Sequence, residues 1–81
     1  MSDLEECLDA LRALARSDDR TKLIEAEMLI HEFSPSPSQL RASLEGLDNA
    51  AIREAELSPQ DASFWQGVRE IVAARLEGLL R

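Results

Sequence analysis

The last third of the chain, from Ser58 to Arg81, predicts an amphipathic helix with a wide apolar arc. Ser58 can cap the free backbone N–H groups, Pro59 suits the first helical position, and Asp61 places a negative charge at the helix start. Apolar residues then recur at three- and four-residue steps, which puts them on one stripe of a helix with about 3.6 residues per turn. They are Trp65, Val68, Val72, Leu76 and Leu79.

Two adjacent aromatic residues widen this arc. Phe64 and Trp65 point about 100° apart on a helix, so one ring can fill the core while the other needs a second surface. Ile71 lies on the Phe64 side. A small bundle can wrap both rings, but Trp and Phe are also enriched at the centres of protein interfaces. We therefore expect Phe64, Trp65 and Ile71 to contribute to a protein-binding face that a second copy of the chain can also cover.

The composition favours helices along the whole chain. Ala, Leu, Glu and Arg dominate and Tyr is absent, so helix formers are common and strand formers are few. The chain has 81 residues, and a core of this size supplies only about 3–5 kcal/mol without a staple or a partner. We expect one all-α domain over residues 1–81, built as a small antiparallel bundle of four helices, or of three if the first two pair loosely.

The first helix is predicted to start with a capping box. The Ser2 hydroxyl can accept a hydrogen bond from the Glu5 backbone N–H, and the Glu5 carboxylate can accept one from the Ser2 backbone N–H. The apolar residues that follow lie on a single stripe, which is typical of an outer helix that buries one face. The stripe consists of Leu4, Cys7, Leu8, Leu11, Leu14 and Ala15.

The second helix, from about Asp19 to Phe33, carries apolar residues on two sides. Its main stripe consists of Leu23, Ala26, Ile30 and Phe33. A second stripe follows the i, i+4, i+7 spacing on another side of the helix, so we expect this helix to contact more than one neighbour. We assign this second stripe, Ile24, Met28 and His31, to the protein-binding face.

The third helix is predicted between two proline-containing breaks. The segment from Ser34 to Ser38 ends the second helix because the residue before each Pro is pushed out of the helical region. Ser36 and Pro37 then repeat the start signal of the last helix, and the apolar line continues to about Glu56. Gly46 costs about 1 kcal/mol relative to Ala inside a helix, so a kink or break there is the alternative to a continuous third helix.

The charge of the chain argues against nucleic acid as a partner. The 16 acidic and nine basic residues give a net charge of −7 at pH 7, which repels a phosphate backbone. Acids concentrate near the start of the first helix and in the turn after it, where they form a candidate acidic patch for a basic partner. The patch consists of Asp3, Glu6, Asp9, Asp18 and Asp19.

No residue pattern indicates catalysis or a cofactor. His31 is the only His, and with Glu27 one turn earlier it fits a pair on the helix surface rather than a metal site. Cys7 lies on the apolar stripe, where a thiol acts as a small hydrophobic group. Glu54 is the one acid on an inward line, too few for a carboxylate metal site. We expect no enzyme activity, no metal and no cofactor.

These observations predict a small acidic protein-binding module of bacterial type, acting as an adaptor, chaperone or regulator and self-associating through the second and fourth helices. The alternative is an acidic inhibitor, of the immunity or phage type, that blocks a basic site on a nuclease or nucleic-acid-binding protein. A single Cys fits a reducing compartment, and no apolar run is long enough to span a membrane. We expect a cytoplasmic location.

Overall fold

The computed structural model describes residues 3–33 and 36–79. These residues form four α-helices and contain no strand, which confirms the predicted all-α bundle of four helices. The Ser2 capping box and the linker residues Ser34 and Pro35 lie outside the described residues, as do the last two residues of the chain. The helices are α1 (Asp3–Ala15), α2 (Lys22–Glu32), α3 (Leu40–Leu57) and α4 (Ala62–Leu79).

The turn before α2 makes this helix begin three residues later than predicted. One carboxylate oxygen of Asp19 accepts hydrogen bonds from the backbone N–H of Thr21 at 2.9 Å and from its hydroxyl at 2.8 Å. This local side-chain bonding holds the backbone in a turn and competes with a helical start. The first helical residue is therefore Lys22.

The two proline-containing starts also differ from the prediction. Residues 37–39 form a turn closed by a 2.8 Å hydrogen bond from the Gln39 N–H to the Ser36 carbonyl, so α3 begins only at Leu40. Before α4, Pro59–Asp61 forms a 3₁₀ turn in which the Asp61 N–H donates to the Ser58 carbonyl at 2.9 Å. The Ser58 side chain makes no capping hydrogen bond. Each Pro thus starts a tight turn rather than the α-helix itself.

The structure shows no break at Gly46, because α3 runs without interruption from Leu40 to Leu57. Gly46 has a packing role instead. A Cβ atom at this position would lie 3.3 Å from a terminal methyl of Leu4 in α1. The missing side chain lets α1 approach α3 closely, and this contact offsets the low helix propensity of Gly.

Contacts between the helices show that α1 lies beside α3 and α2 lies beside α4, each pair running in the same direction. Leu4 meets Gly46 near one end of α1, and Arg12 bonds Glu54 near the other, so α1 and α3 run in the same direction. The second pair behaves in the same way, since Leu23 packs on Gly67 and the Arg75 guanidinium donates to the Ile30 carbonyl. Two antiparallel helical hairpins therefore lie side by side.

The core is built from one face of each helix. The apolar stripe of α1 is confirmed, with Cys7, Leu8, Leu11 and Ala15 buried and Leu4 and Leu14 packed against the core. No polar or charged side chain is buried among the residues that the structure describes. The remaining buried residues are Ala26, Ile30, Phe33, Leu44, Leu47, Ala50, Ala51, Phe64, Trp65, Val68 and Val72.

Candidate protein-binding surface

The aromatic pair of α4 lies inside the bundle, which corrects the prediction that one ring needs an external partner. Phe64 is 2% exposed and Trp65 is 1% exposed. Their rings meet edge to face with centroids 5.3 Å apart, and the Lys22 ammonium lies 5.5 Å from the centroid of the Phe64 ring. The helix packs against both α2 and α3, so two neighbours cover the directions that a single neighbour would leave open.

Ile71 also belongs to the interior side of α4. It is partly buried and packs against the core. The apolar arc of α4 is indeed too wide for one neighbouring helix, but the bundle supplies two. The structure therefore gives Phe64, Trp65 and Ile71 a role in holding the helices together, and the bundle itself covers both rings.

The second stripe of α2 faces solvent. Ile24 is 63% exposed and Met28 is 58% exposed, and 65% of the His31 side chain is accessible. On the other side of the same helix Ala26 and Ile30 are fully buried. We call Ile24, Met28 and His31 the outer surface of α2, and the structure brings these three predicted residues together on one exposed face.

Acidic side chains border the outer surface of α2. With about 100° between successive residues, Glu27 lies on one edge of the Ile24–Met28 line, and Glu25 and Glu32 lie on the other. All three acids are exposed. We call them the acidic rim. The sequence interpretation missed it, although the positions of these acids on a helical wheel are enough to find it.

The basic group at the start of α2 is turned away from this surface. Lys22 donates from its ammonium to the Ser17 carbonyl at 3.2 Å and to the Ala15 carbonyl at 3.4 Å. It thereby satisfies backbone acceptors at the end of α1, which carry partial negative charge. Within α2 the other titratable base is His31, whose Nε2 atom lies 3.7 Å from the Glu27 carboxylate. The outer surface therefore has a net negative border.

The predicted acidic patch is divided between the two ends of α1. Glu6 and Asp9 lie in the first half of the helix, while Asp18 and Asp19 lie in the turn after it. With a rise of about 1.5 Å per residue, the helix separates Glu6 from that turn by more than about 13 Å. The side chain of Asp3 lies outside the described ones. Glu6 therefore does not share one continuous surface with Asp18 and Asp19.

Two of these acids already have partners within the chain. The Asp9 carboxylate accepts a 2.9 Å hydrogen bond from the Arg12 guanidinium. The hydrogen bonds from the Thr21 N–H and hydroxyl hold the pKa of Asp19 below its ordinary value. Both contacts use the acids to shape the local chain, which weakens the case for an acidic site that blocks a basic partner.

The candidate chemical groups have structural roles. Cys7 is buried, and this burial raises the pKa of its thiol while the positive charge of Arg75 partly opposes the rise. A thiol with a raised pKa is a poor nucleophile. Glu54 accepts a 2.7 Å hydrogen bond from the Arg12 Nε atom. No cluster of three or more metal-binding side chains occurs in residues 3–33 and 36–79.

Two open clefts lie on the surface of the described part of the chain. One, of about 260 Å³, lies between α3 and α4, where Arg69 and Asp48 form an ion pair at 3.0 Å. Another, of about 400 Å³, lies at the corner where Lys22 meets Phe64. In each cleft the charged groups nearest the core already bond within the chain.

The fold and this surface define the chain as a small four-helix bundle with an exposed apolar helix face. Comparison with protein-family models, curated proteins and solved structures finds no match. No helix in the described part of the chain is both long and apolar enough to cross a membrane.

Proposed function

We propose that this chain is a small, non-enzymatic module that binds another protein through the outer surface of α2. It would serve as an adaptor, chaperone or regulator of that protein. The observation that carries the proposal is that Ile24 and Met28 are both more than half exposed on a helix whose opposite side is fully buried. Covering adjacent apolar side chains on a partner is favourable by about 25 cal/mol per Å² of apolar area removed from water.

The spacing of the exposed residues supports recognition of a partner by a helix face. Ile24 and Met28 are one turn apart and His31 continues the same line, which is the i, i+4, i+7 pattern of anchors in helix-mediated recognition. Met adds a flexible, polarizable contact that adapts to different partners. The free thiol of Cys7 supports a reducing compartment, so the cytoplasm is part of this proposal.

Site-specific photo-crosslinking tests the proposal. A photoreactive residue placed at Met28 should give a discrete adduct with a partner protein in the native host, and Ile24→Ser in the same chain should reduce it. The same group at Glu56, an exposed position of α3, is the matched control and should give no such adduct. Equal adducts from both positions, or none from Met28, would contradict the proposed role of α2.

Self-association through α2 is the second form of this proposal. It is favoured by the small size of the domain, because a second copy would cover the same exposed residues. Light scattering across a dilution series measures it directly. A dimer that becomes a monomer in Ile24→Ser would assign the outer surface to a second copy, whereas a native monomer would leave it for a different protein.

The acidic inhibitor remains the alternative in this test. Binding led by separated surface charges weakens steeply with salt, and it would depend on Glu6 or Asp18 rather than on Ile24. Adducts from those positions and not from Met28 would favour that function.

A further inference from the structure

We propose that the outer surface of α2 takes an amphipathic helix whose apolar stripe is flanked by Lys or Arg on both edges. This inference rests on the proposed function and names the chemistry of the partner. Its apolar stripe would contact Ile24 and Met28, and its basic residues would face the acidic rim formed by Glu25, Glu27 and Glu32.

The charges along α2 favour a partner with basic edges. Carboxylates border the Ile24–Met28 line on both edges, and the Lys22 ammonium is held at the end of α1 by the Ser17 and Ala15 carbonyls. A partner with acids at its own edges would therefore meet like charges on both sides. Complementary charge at an interface raises the association rate and excludes partners of the wrong sign.

The shape of the surface selects a helix over an extended segment. No strand lies among the described residues, so this part of the chain offers no sheet edge to which a partner strand could add. The α2 helix has 11 residues, which corresponds to a length of about 16 Å. Three turns of a partner helix match this length and can place two apolar residues against Ile24 and Met28.

A second copy of the chain fits this surface less well. If two α2 helices pair antiparallel so that Ile24 of one meets Met28 of the other, Glu27 of one copy lies beside Glu27 of the other along one edge, and Glu25 lies beside Glu25 along the other edge. These like charges lie near the middle of the contact and oppose it. Arg20 could approach Glu32 of the second copy, but both are exposed near the helix ends, where an ion pair contributes little.

The test uses synthetic helical peptides of about three turns or more, because shorter helices contact too little of α2. The first has a Leu stripe flanked by Lys, the second has Glu at the same flanking positions, and the third has the composition of the first in an order without a stripe. Titration calorimetry with the full chain measures each affinity. The Lys-flanked peptide should bind at least about tenfold more tightly than either of the others.

Variants of the chain locate the binding. Ile24→Ser and Met28→Ser should each lower the affinity for the Lys-flanked peptide by about tenfold, because each removes an apolar anchor. Glu25→Gln and Glu32→Gln should each lower that affinity by about twofold to fivefold at low salt and make it less dependent on salt concentration. Leu57→Ser and Glu56→Gln are matched controls on α3, where Leu57 is 77% exposed, and should leave the affinity unchanged.

The outcomes separate this inference from the proposed function. Equal binding of the Lys- and Glu-flanked peptides, lost in Ile24→Ser, would overturn the basic partner and leave α2 as the binding site. If the Lys-flanked peptide binds Ile24→Ser as tightly as the native chain, the binding is unspecific charge attraction and the inference is overturned. If no peptide binds while crosslinking from Met28 captures a partner, the inference fails alone; if crosslinking fails as well, both fail.

Discussion

The buried thiol of Cys7 links the stability of the fold to alkaline pH. Burial raises its pKa in the folded state, and the charge of Arg75 only partly opposes this effect. In the unfolded chain the thiol titrates near its ordinary value of about 8.5. The folded state therefore keeps its proton to higher pH than the unfolded state. Its contribution to stability is complete below the unfolded pKa and is lost as the pH rises through the folded pKa.

We predict that urea unfolding between about pH 7 and pH 10 shows a steeper loss of stability in the native chain than in Cys7→Ala. The variant is less stable at neutral pH because it leaves a small cavity, but it lacks the titrating thiol. The comparison cancels titrations that both chains share. Parallel pH profiles for the two chains would show that the thiol is not shielded from water.

Gly67 shows how a single missing side chain sets the distance between two helices. A Cβ atom there would lie 2.6 Å from a terminal methyl of Leu23, closer than van der Waals contact allows. Glu70, three residues further along α4, is exposed, whereas Gly67 contacts α2. Exposure of a helix side depends on the neighbour that crosses it.

We predict that Gly67→Ala gains its helix-propensity benefit, about 1 kcal/mol, only when Leu23 is also shortened. In the native chain the new methyl displaces Leu23, which offsets the gain. In a Leu23→Ala chain the new methyl no longer meets the Leu23 methyl groups, so the substitution raises the free energy of unfolding. Gly78→Ala, which has no neighbour within 4 Å, is the control and should show the same effect with or without Leu23. Equal effects of Gly67→Ala in both chains would contradict the contact.

Among the helices, α1 is tied to α3 by a polar contact that the sequence did not reveal. The Arg12 guanidinium reaches Glu54 across the two helices, and this hydrogen bond raises the pKa of Arg12. Glu54 is more shielded than Arg12, with 17% and 41% of their side chains exposed. Part of the interaction is therefore screened by water. The bond accounts for the inward position of Glu54.

A double-mutant cycle with Arg12→Met and Glu54→Gln should give a coupling energy of about 1 kcal/mol, because one partner is largely shielded. The exposed pair Arg41 and Glu45 on α3, at 3.3 Å, provides the control cycle. Its coupling should not exceed about 0.5 kcal/mol. Equal coupling energies in the two cycles would show that the Arg12–Glu54 contact stabilises the fold no more than an exposed ion pair does.

The bundle should unfold when a buried apolar side chain is removed and should stay folded when exposed apolar side chains are replaced. Phe64→Ala removes a buried ring at a cost of about 3–5 kcal/mol, comparable to the total stability of so small a domain. We expect circular dichroism to show a largely unfolded chain. The double variant Ile24→Ser and Met28→Ser should instead keep its helix content and thermal midpoint, because both residues are exposed on α2. An unfolded double variant would mean that α2 packs differently.

The sequence predicts the helices better than it predicts their neighbours. Periodicity and the Ser, Pro and Asp breaks are local signals, and they identify four helices and the α1 stripe. The direction in which α1 lies beside α3 depends on contacts such as Arg12 with Glu54, which are 42 residues apart. No local signal encodes such a contact.

The residues of the candidate surface show the same difference between local spacing and contacts with neighbouring helices. Spacing alone places Ile24, Met28 and His31 on one side of α2, opposite its buried stripe, and their role in binding stays a prediction. Phe64 is misassigned because the count of neighbouring helices decides whether a wide arc is covered. Periodicity gives the width of an apolar face but not the number of helices that meet it.

The position of Lys22 has a consequence for covalent labelling of the chain. It is the chain's only lysine, and its Nζ atom is engaged with the carbonyl groups that end α1. Acylation of this amine, by an amine-reactive dye or by a modifying enzyme, removes the charge beside the Phe64 ring and leaves one N–H donor, so the two hydrogen bonds cannot both persist. The rate of acylation at Lys22 therefore measures how often the corner between α1 and α2 opens.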